Sequence, residues 1–220
     1  MENRPPVQVS PLWLLLAALL IPMACSRPHE AERNEPLCAY MDTTILQSGD
    51  LVFRMGRGLE SRAVVSADRD AMFSHVGLLV REDGAWKVLH AVPGEEAETG
   101  GVERIKKDPL SLYLAPDRAV AACVLRYDTA PEALEEVVRQ AFRLYRKELP
   151  FDNKYDITDS SQMYCTEYVT YVFRFVGVEL PEGRSHRFPM VRNALVYPID
   201  LSQNPHLKEI CVVKKKTAKK

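Results

Sequence analysis

Cys165, His75 and His90 have the residue types that thiol chemistry needs, at positions the chain can bring together. In that chemistry a thiolate attacks an acyl carbon, and one imidazole takes the thiol proton and later returns it to the leaving group. A second polar group orients that imidazole and fixes its tautomer. The two histidines meet through a hairpin. HVGLLV at 75–80 and AWKVLHA at 85–91 read as strands. Between them Arg81-Glu82-Asp83-Gly84 predicts a four-residue loop. In that register Val80 faces Ala85 and His75 faces His90, which sets their Cβ atoms roughly 4.5–5.5 Å apart on one face. A slip of one residue would send them to opposite faces. Taken alone, the pair is equally two unrelated histidines on a sheet.

Cys165 falls near the start of a helix predicted from an N-cap at Ser160 or Ser161 to about Val176, stopped by Gly177. Its core stripe is Cys165, Val169, Val172, Phe173 and Val176. Unsatisfied N–H groups and the positive dipole end at a helix start stabilise a thiolate and can hold an oxyanion. The competing reading is an inert buried thiol, the commoner fate of a helix cysteine. Two histidines and a cysteine also suit zinc, but no fourth ligand stands at a telling spacing, so no metal and no cofactor are expected. Tyr164 flanks the nucleophile and, with Ser74 and Tyr155, is a candidate substrate contact. Asp156 is a candidate cleft residue, whereas Asp50 and Glu167 read as structural carboxylates at a turn and a helix start. His29, His186 and His206 carry no usable signal.

The elements around these residues suggest an α+β domain, β-rich early and helical later. Leu46–Phe53 is a turn running into a strand, and 119–127 (AVAACVLRY) is a strand buried on both faces. Thr129-Ala130-Pro131-Glu132 reads as a capping box opening a helix through Leu134, Val137, Val138, Ala141, Phe142 and Tyr145. The loop 54–73, rich in Arg, and the segment 92–116 are expected to wall the cleft.

The 220 residues are 46% hydrophobic and 27% charged, with a net charge of −1, which excludes a disordered chain and gives no field for nucleic acid. Residues 11–25, PLWLLLAALLIPMAC, are too short for a comfortable membrane span and have the length of a signal-peptide core. Ala24-Cys25 followed by polar residues resembles a lipoprotein cleavage site, although Pro22 and a single Arg4 depart from that pattern. The expected organisation is a signal peptide at 1–25 with Cys25 lipidated, a polar tether at 26–41, a domain at 42–213 and a basic tail at 214–220. With one base and one acid in 1–25 and five lysines in the tail, 26–213 holds 23 bases against 29 acids. Export, with membrane attachment through the lipid, is the expected location. None of the five cysteines forms a CxxC pair; Cys123 sits in an apolar run, and Cys38 and Cys211 are candidates to pair in an oxidising compartment.

GDLVFRMG at 49–56, SHVGLLV at 74–80, VLHA at 88–91 and YCTEYVTYVF at 164–173 together resemble the circularly permuted papain-like amidases. These are the YiiX/YaeF-like relatives of the NlpC-type cell-wall peptidases. PFDNKYD at 150–156 and YPIDLSQNPHLKEI at 197–210 are similar to that branch as well, so the resemblance covers about 42–213. It implies a papain-like fold with permuted topology, a small antiparallel sheet or barrel against helices, and the histidine strand before the cysteine helix. It implies Cys165 as nucleophile, His75 as base and His90 at a third position where many relatives carry Glu. A Cys-His-His set is also the pattern of the lecithin:retinol acyltransferase-like proteins. The readings are therefore a thiol hydrolase cleaving a peptide or lipid-linked amide, a thiol acyltransferase or phospholipase, and a non-catalytic peptide- or lipid-binding module.

Overall fold

The computed structural model describes residues 35–66, 70–95, 102–157, 159–187 and 193–214. The expected signal peptide, Cys25 and most of the expected tether lie outside the described residues, as do 215–220 of the tail. A six-stranded antiparallel sheet organises the rest, in the order β4-β3-β2-β1-β5-β6. The strands are β1 (Leu51–Gly56), β2 (His75–Glu82), β3 (Ala85–Ala91), β4 (Ile105–Pro109), β5 (Ala119–Tyr127) and β6 (Leu207–Lys214). The helices are α1 (Leu59–Ser66), α2 (Leu110–Tyr113), α3 (Pro131–Tyr145), α4 (Cys165–Arg174) and α5 (Pro198–Ser202). Among the described residues no helix is long and apolar enough to cross a membrane.

Side-chain alternation along the strands divides the core into two layers. Val76, Leu78 and Val80 of β2 join Leu51 and Phe53 against α3 and α4, which contribute Leu134, Val137, Ala141, Tyr168, Val169, Val172 and Phe173. Leu79, Val52 and Val88 point the other way, onto Leu110, Tyr113, Leu114 and Leu37. Leu37 corrects the expected tether: it is 0% exposed and opens a 3-10 turn, Leu37–Tyr40, and its N–H donates to Leu114 O at 3.0 Å. An apolar Leu-Cys-Ala-Tyr run can repay its own ordering by burial, which the charged residues before it cannot.

Both helix starts differ from expectation. The Thr129 capping box does not form: Ala130 is the N-cap of α3, without a side-chain bond, and Pro131 takes the first helical position. α4 begins later than Ser160 or Ser161. Its N-cap is Tyr164 and Cys165 is its first residue, with Glu167 reaching back to the Tyr164 N–H. Asp50 is fully buried and holds Arg126 at 2.7 Å and the Gln47 N–H at 2.8 Å, bracing the entry to β1.

The hairpin also turns differently. Its loop is two residues, Asp83 and Gly84, with φ 51° and 77°, and Glu82 pairs with Ala85. Asp-Gly suits a tight turn with both central φ positive, so it closes the hairpin inside the four residues expected. Arg81 and Glu82 are strand residues, and the Arg81 guanidinium lies 5.4 Å from the Trp86 ring centre. The register therefore moves by two residues. An even shift keeps every side chain on its face. His90 ends opposite Gly77 rather than His75, and the two histidines become diagonal neighbours.

Gly77 leaves the room that this diagonal contact uses. A Cβ there would overlap Val88 Cγ1 and lie 3.0 Å from His90 Cβ. Gly77→Ala is expected to cost about 1–3 kcal/mol by overpacking and to displace His90. Urea unfolding reads the first effect, and the chemical shifts of the His90 ring read the second. A variant with wild-type stability would show that the strands absorb the methyl.

Candidate active site

His75 opens β2 and His90 stands near the end of β3, both buried. Their rings meet edge to face at 5.2 Å, with His75 Nε2 3.0 Å from His90 Nδ1. Tyr113 packs on both, at 5.7 and 4.8 Å between ring centres, and its hydroxyl donates to Val52 O at 2.9 Å.

Cys165 approaches from the other layer. Backbone N–H groups at Val76, the residue after His75, and at Cys165 and Thr166 at the helix start favour the Cys165 thiolate. Cys165 is half-buried, whereas His75 and His90 are closed off from solvent. The structure joins His75 and His90 directly and packs α4, which begins at Cys165, against β2 and β3.

Electrostatics there oppose the expectation of a thiolate at rest. Burial pushes the Cys165 thiol up to about 11, against the opposing pull of the three N–H groups and of Arg54. Burial, with the charges of Arg54, His90 and Lys106, holds His75 well below the usual histidine range. His90 is held down to about 4, again chiefly by burial, although its bond to Asp108 pulls the other way. Desolvation outweighs the helix-start field. Both shifts favour a protonated thiol and neutral imidazoles in the free protein.

Four polar residues at this site, Arg54, Glu95, Asp108 and Arg118, were invisible from sequence. Arg54 is 1% exposed and pairs across the strands with His75. It donates to Tyr113 O at 2.7 Å and to Glu95 at 2.5 Å. Asp108 on β4 accepts from His90 Nε2 at 3.2 Å and from Arg118 at 3.0 Å, and Arg118 also reaches Glu95 at 3.0 Å. Burial works against the Asp108 carboxylate. The bond to His90 and the charges of His90, Lys106 and Arg118 nonetheless hold it below its ordinary value.

The candidate substrate contacts are placed unequally. Tyr164 is buried, and its hydroxyl accepts from Val196 N at 3.3 Å, so it forms wall more than surface. Ser74 Oγ accepts from Gly56 N at 2.9 Å and ties β1 to the start of β2. Tyr155 is 38% exposed, with its ring 5.3 Å from that of Tyr164. Its backbone is left-handed, φ 53°. Buried Asp152 secures that turn by accepting from Lys154 N at 2.8 Å and Asp156 N at 2.5 Å. Burial, with the charges of Asp152, Asp156 and Asp159, pushes Glu167 up to about 8. Asp156 accepts from Asn193 Nδ2. Cys38 and Cys211 are free thiols here, as are Cys123 and Cys165.

The solved structure titled metalloprotein yiiX, from Escherichia coli O157:H7, matches this fold with a TM-score of 0.61 at 19% identity, covering 75% of this chain and 96% of that one. In this chain the facing nitrogens of His75 and His90 are spent on each other. Among the described residues no group of three or more His, Cys, Asp or Glu is placed to hold a metal ion, so these side chains do not fit a ligand set. No curated protein sequence matches the chain. The family model described as permuted papain-like amidase enzyme, YaeF/YiiX, C92 family, matches residues 45–210. With the histidine strand ahead of the cysteine helix in one antiparallel α+β domain, the chain belongs to the YaeF/YiiX family of permuted papain-like amidases.

Proposed function

We propose that this protein is a cell-envelope thiol hydrolase that cleaves an amide in a cell-wall peptide or a lipid-linked acyl amide, with Cys165 as nucleophile and His75 as base. The family supplies the cysteine-dependent amidase activity. The observation that supports these residue roles is a buried histidine pair, His75 Nε2 3.0 Å from His90 Nδ1, on strands against which the helix that begins at Cys165 packs.

Substrate binding brings the acyl carbon to the sulfur. The S–C bond forms as the thiol proton passes to His75, and the carbonyl oxygen gathers negative charge beside the N–H groups at the start of α4. The C–N bond then breaks, and His75 returns its proton to the departing amine. Water, deprotonated by His75, attacks the thioacyl-enzyme, releases the carboxylate and restores the thiol. His90 orients His75. Tyr155 offers an exposed aromatic surface to the substrate's flank. Residues 1–25 support export, and Cys25 is the lipid attachment point on this reading.

The test is hydrolysis of peptidoglycan stem peptides against N-acyl lipids and phospholipids by the full chain, with Cys165→Ala as control. Release of a free amine from one amide class, through a hydroxylamine-trappable acyl-enzyme, supports the proposal. Acyl transfer to an alcohol or amine in preference to water makes the protein an acyltransferase. Turnover that survives Cys165→Ala overturns the assignment. The intact mass of the membrane-bound chain reads the anchor: a chain beginning at Cys25 with added lipid mass is expected, and an unmodified leader overturns that part.

A further inference from the structure

His90 is an unpromising orienter by itself, because a neutral imidazole has two tautomers and only one can accept from His75. The structure supplies what selects between them. Asp108 accepts from His90 Nε2 at 3.2 Å, while Arg118 Nη1 donates to the same carboxylate oxygen at 3.0 Å. An ionised carboxylate has no hydrogen to give, so His90 Nε2 must carry one. Neutral His90 then has a lone pair at Nδ1, which faces His75 Nε2 at 3.0 Å. His75 Nε2 must therefore be the donor. Its proton is committed there, and the lone pair of neutral His75 is left on Nδ1, the one ring nitrogen free to take a proton from the thiol.

We propose that Asp108 is a positioning residue that sets the tautomers of both histidines in turn, and thereby leaves the lone pair of His75 on Nδ1, as the base for the Cys165 thiol. This rests on the assignment of His75 as base. The proton balance is simple. The S–H bond breaks and an Nδ1–H bond forms on His75, making an imidazolium. The Nε2–H stays on His75, and no proton passes to His90 or Asp108. Asp108⁻ polarises His90 so that its Nδ1 lone pair strengthens against the new positive charge. This chain reaches a carboxylate through an intervening histidine. Arg118 keeps that carboxylate ionised, and is itself held on its other side by Glu95, which also pairs with Arg54. The charges ringing the histidines are thus Arg54, Glu95, Lys106, Asp108 and Arg118, with Tyr113 stacked between.

Long-range ¹H–¹⁵N spectra of the full chain, labelled at histidine, test this near neutral pH. Both His75 and His90 are expected as single Nε2–H tautomers with unprotonated Nδ1. In Asp108→Asn, whose amide can donate or accept, both rings are expected to become tautomer mixtures. Its kcat is expected to fall about 10–100-fold with KM held within about twofold, since wrong-tautomer losses fall on the chemical step. A wild-type His90 protonated on Nδ1 overturns the proposal, as does an Asp108→Asn protein with unchanged tautomers and kcat. If the variant does not fold, the wild-type spectrum still decides. The outcome is separable from the functional reading: activity that persists in Cys165→Ala defeats the assignment of the base whatever the tautomers are, whereas loss of activity in Cys165→Ala with a free Nδ1–H on His90 defeats only the role of Asp108.

Discussion

Cys165→Ala and His75→Ala will each lower kcat/KM by on the order of 10³–10⁶-fold, and the double variant will be no worse than either alone. Groups that act as a unit are grossly non-additive, because removing one member idles the others. On the proposed roles these two are such a unit, because the backbone N–H groups of Val76, Cys165 and Thr166 that favour the thiolate can hold charge but cannot accept a proton. Alanine at the first position of α4 keeps the main-chain donors and suits a helix, so loss of activity in Cys165→Ala reads chemistry rather than unfolding. His75→Ala empties a buried position, and its melting midpoint must be measured beside its rate. Additive losses, with the double variant slower by the product of the two factors, would show that His75 and Cys165 serve separate steps and would overturn the pair.

The parts of this site that the sequence revealed are those carried by local pattern. Alternating apolar residues in β2 and β3 set His75 and His90 on one face. Because the error in the turn was an even number of residues, the face survived a wrong register. The apolar stripe of α4 gave Val169, Val172 and Phe173 as core. What was lost is tertiary. β4 reads Ile-Lys-Lys-Asp-Pro, an edge strand whose charge hides its period, so nothing local marks Asp108 as a neighbour of His90. Arg54 looks like one of several loop arginines, yet it falls in β1 and is buried because Glu95 and the Tyr113 carbonyl satisfy its two terminal nitrogens. Such partners come from 41 and 59 residues away and leave no trace at helix or strand spacing.

Alkylation of Cys165 by iodoacetamide in the full chain is expected to quicken about tenfold per pH unit through the neutral and mildly alkaline range. Half of its limiting rate should fall near pH 11, where burial has moved the thiol. An ordinary cysteine would level off near about 8.5, and one activated at a helix start well below that. The hydrolytic profile should look different, since catalysis needs neutral His75 rather than a free thiolate. Lowering the His75 pKa means the base form persists to lower pH, so the acid limb of kcat/KM should lie below pH 6.5, with a flat rate through neutrality. Peptide mass spectrometry separates Cys165 from Cys123, whose thiol burial raises to about 12. If alkylation instead saturates below pH 8.5, and that saturation is lost in His75→Ala, a thiolate–imidazolium pair exists before substrate arrives. The N–H groups of α4 and the charge of Arg54 would then outweigh burial. With the expected profile the balance runs the other way: substrate meets a protonated thiol, and the proton leaves for His75 only as the carbon–sulfur bond forms.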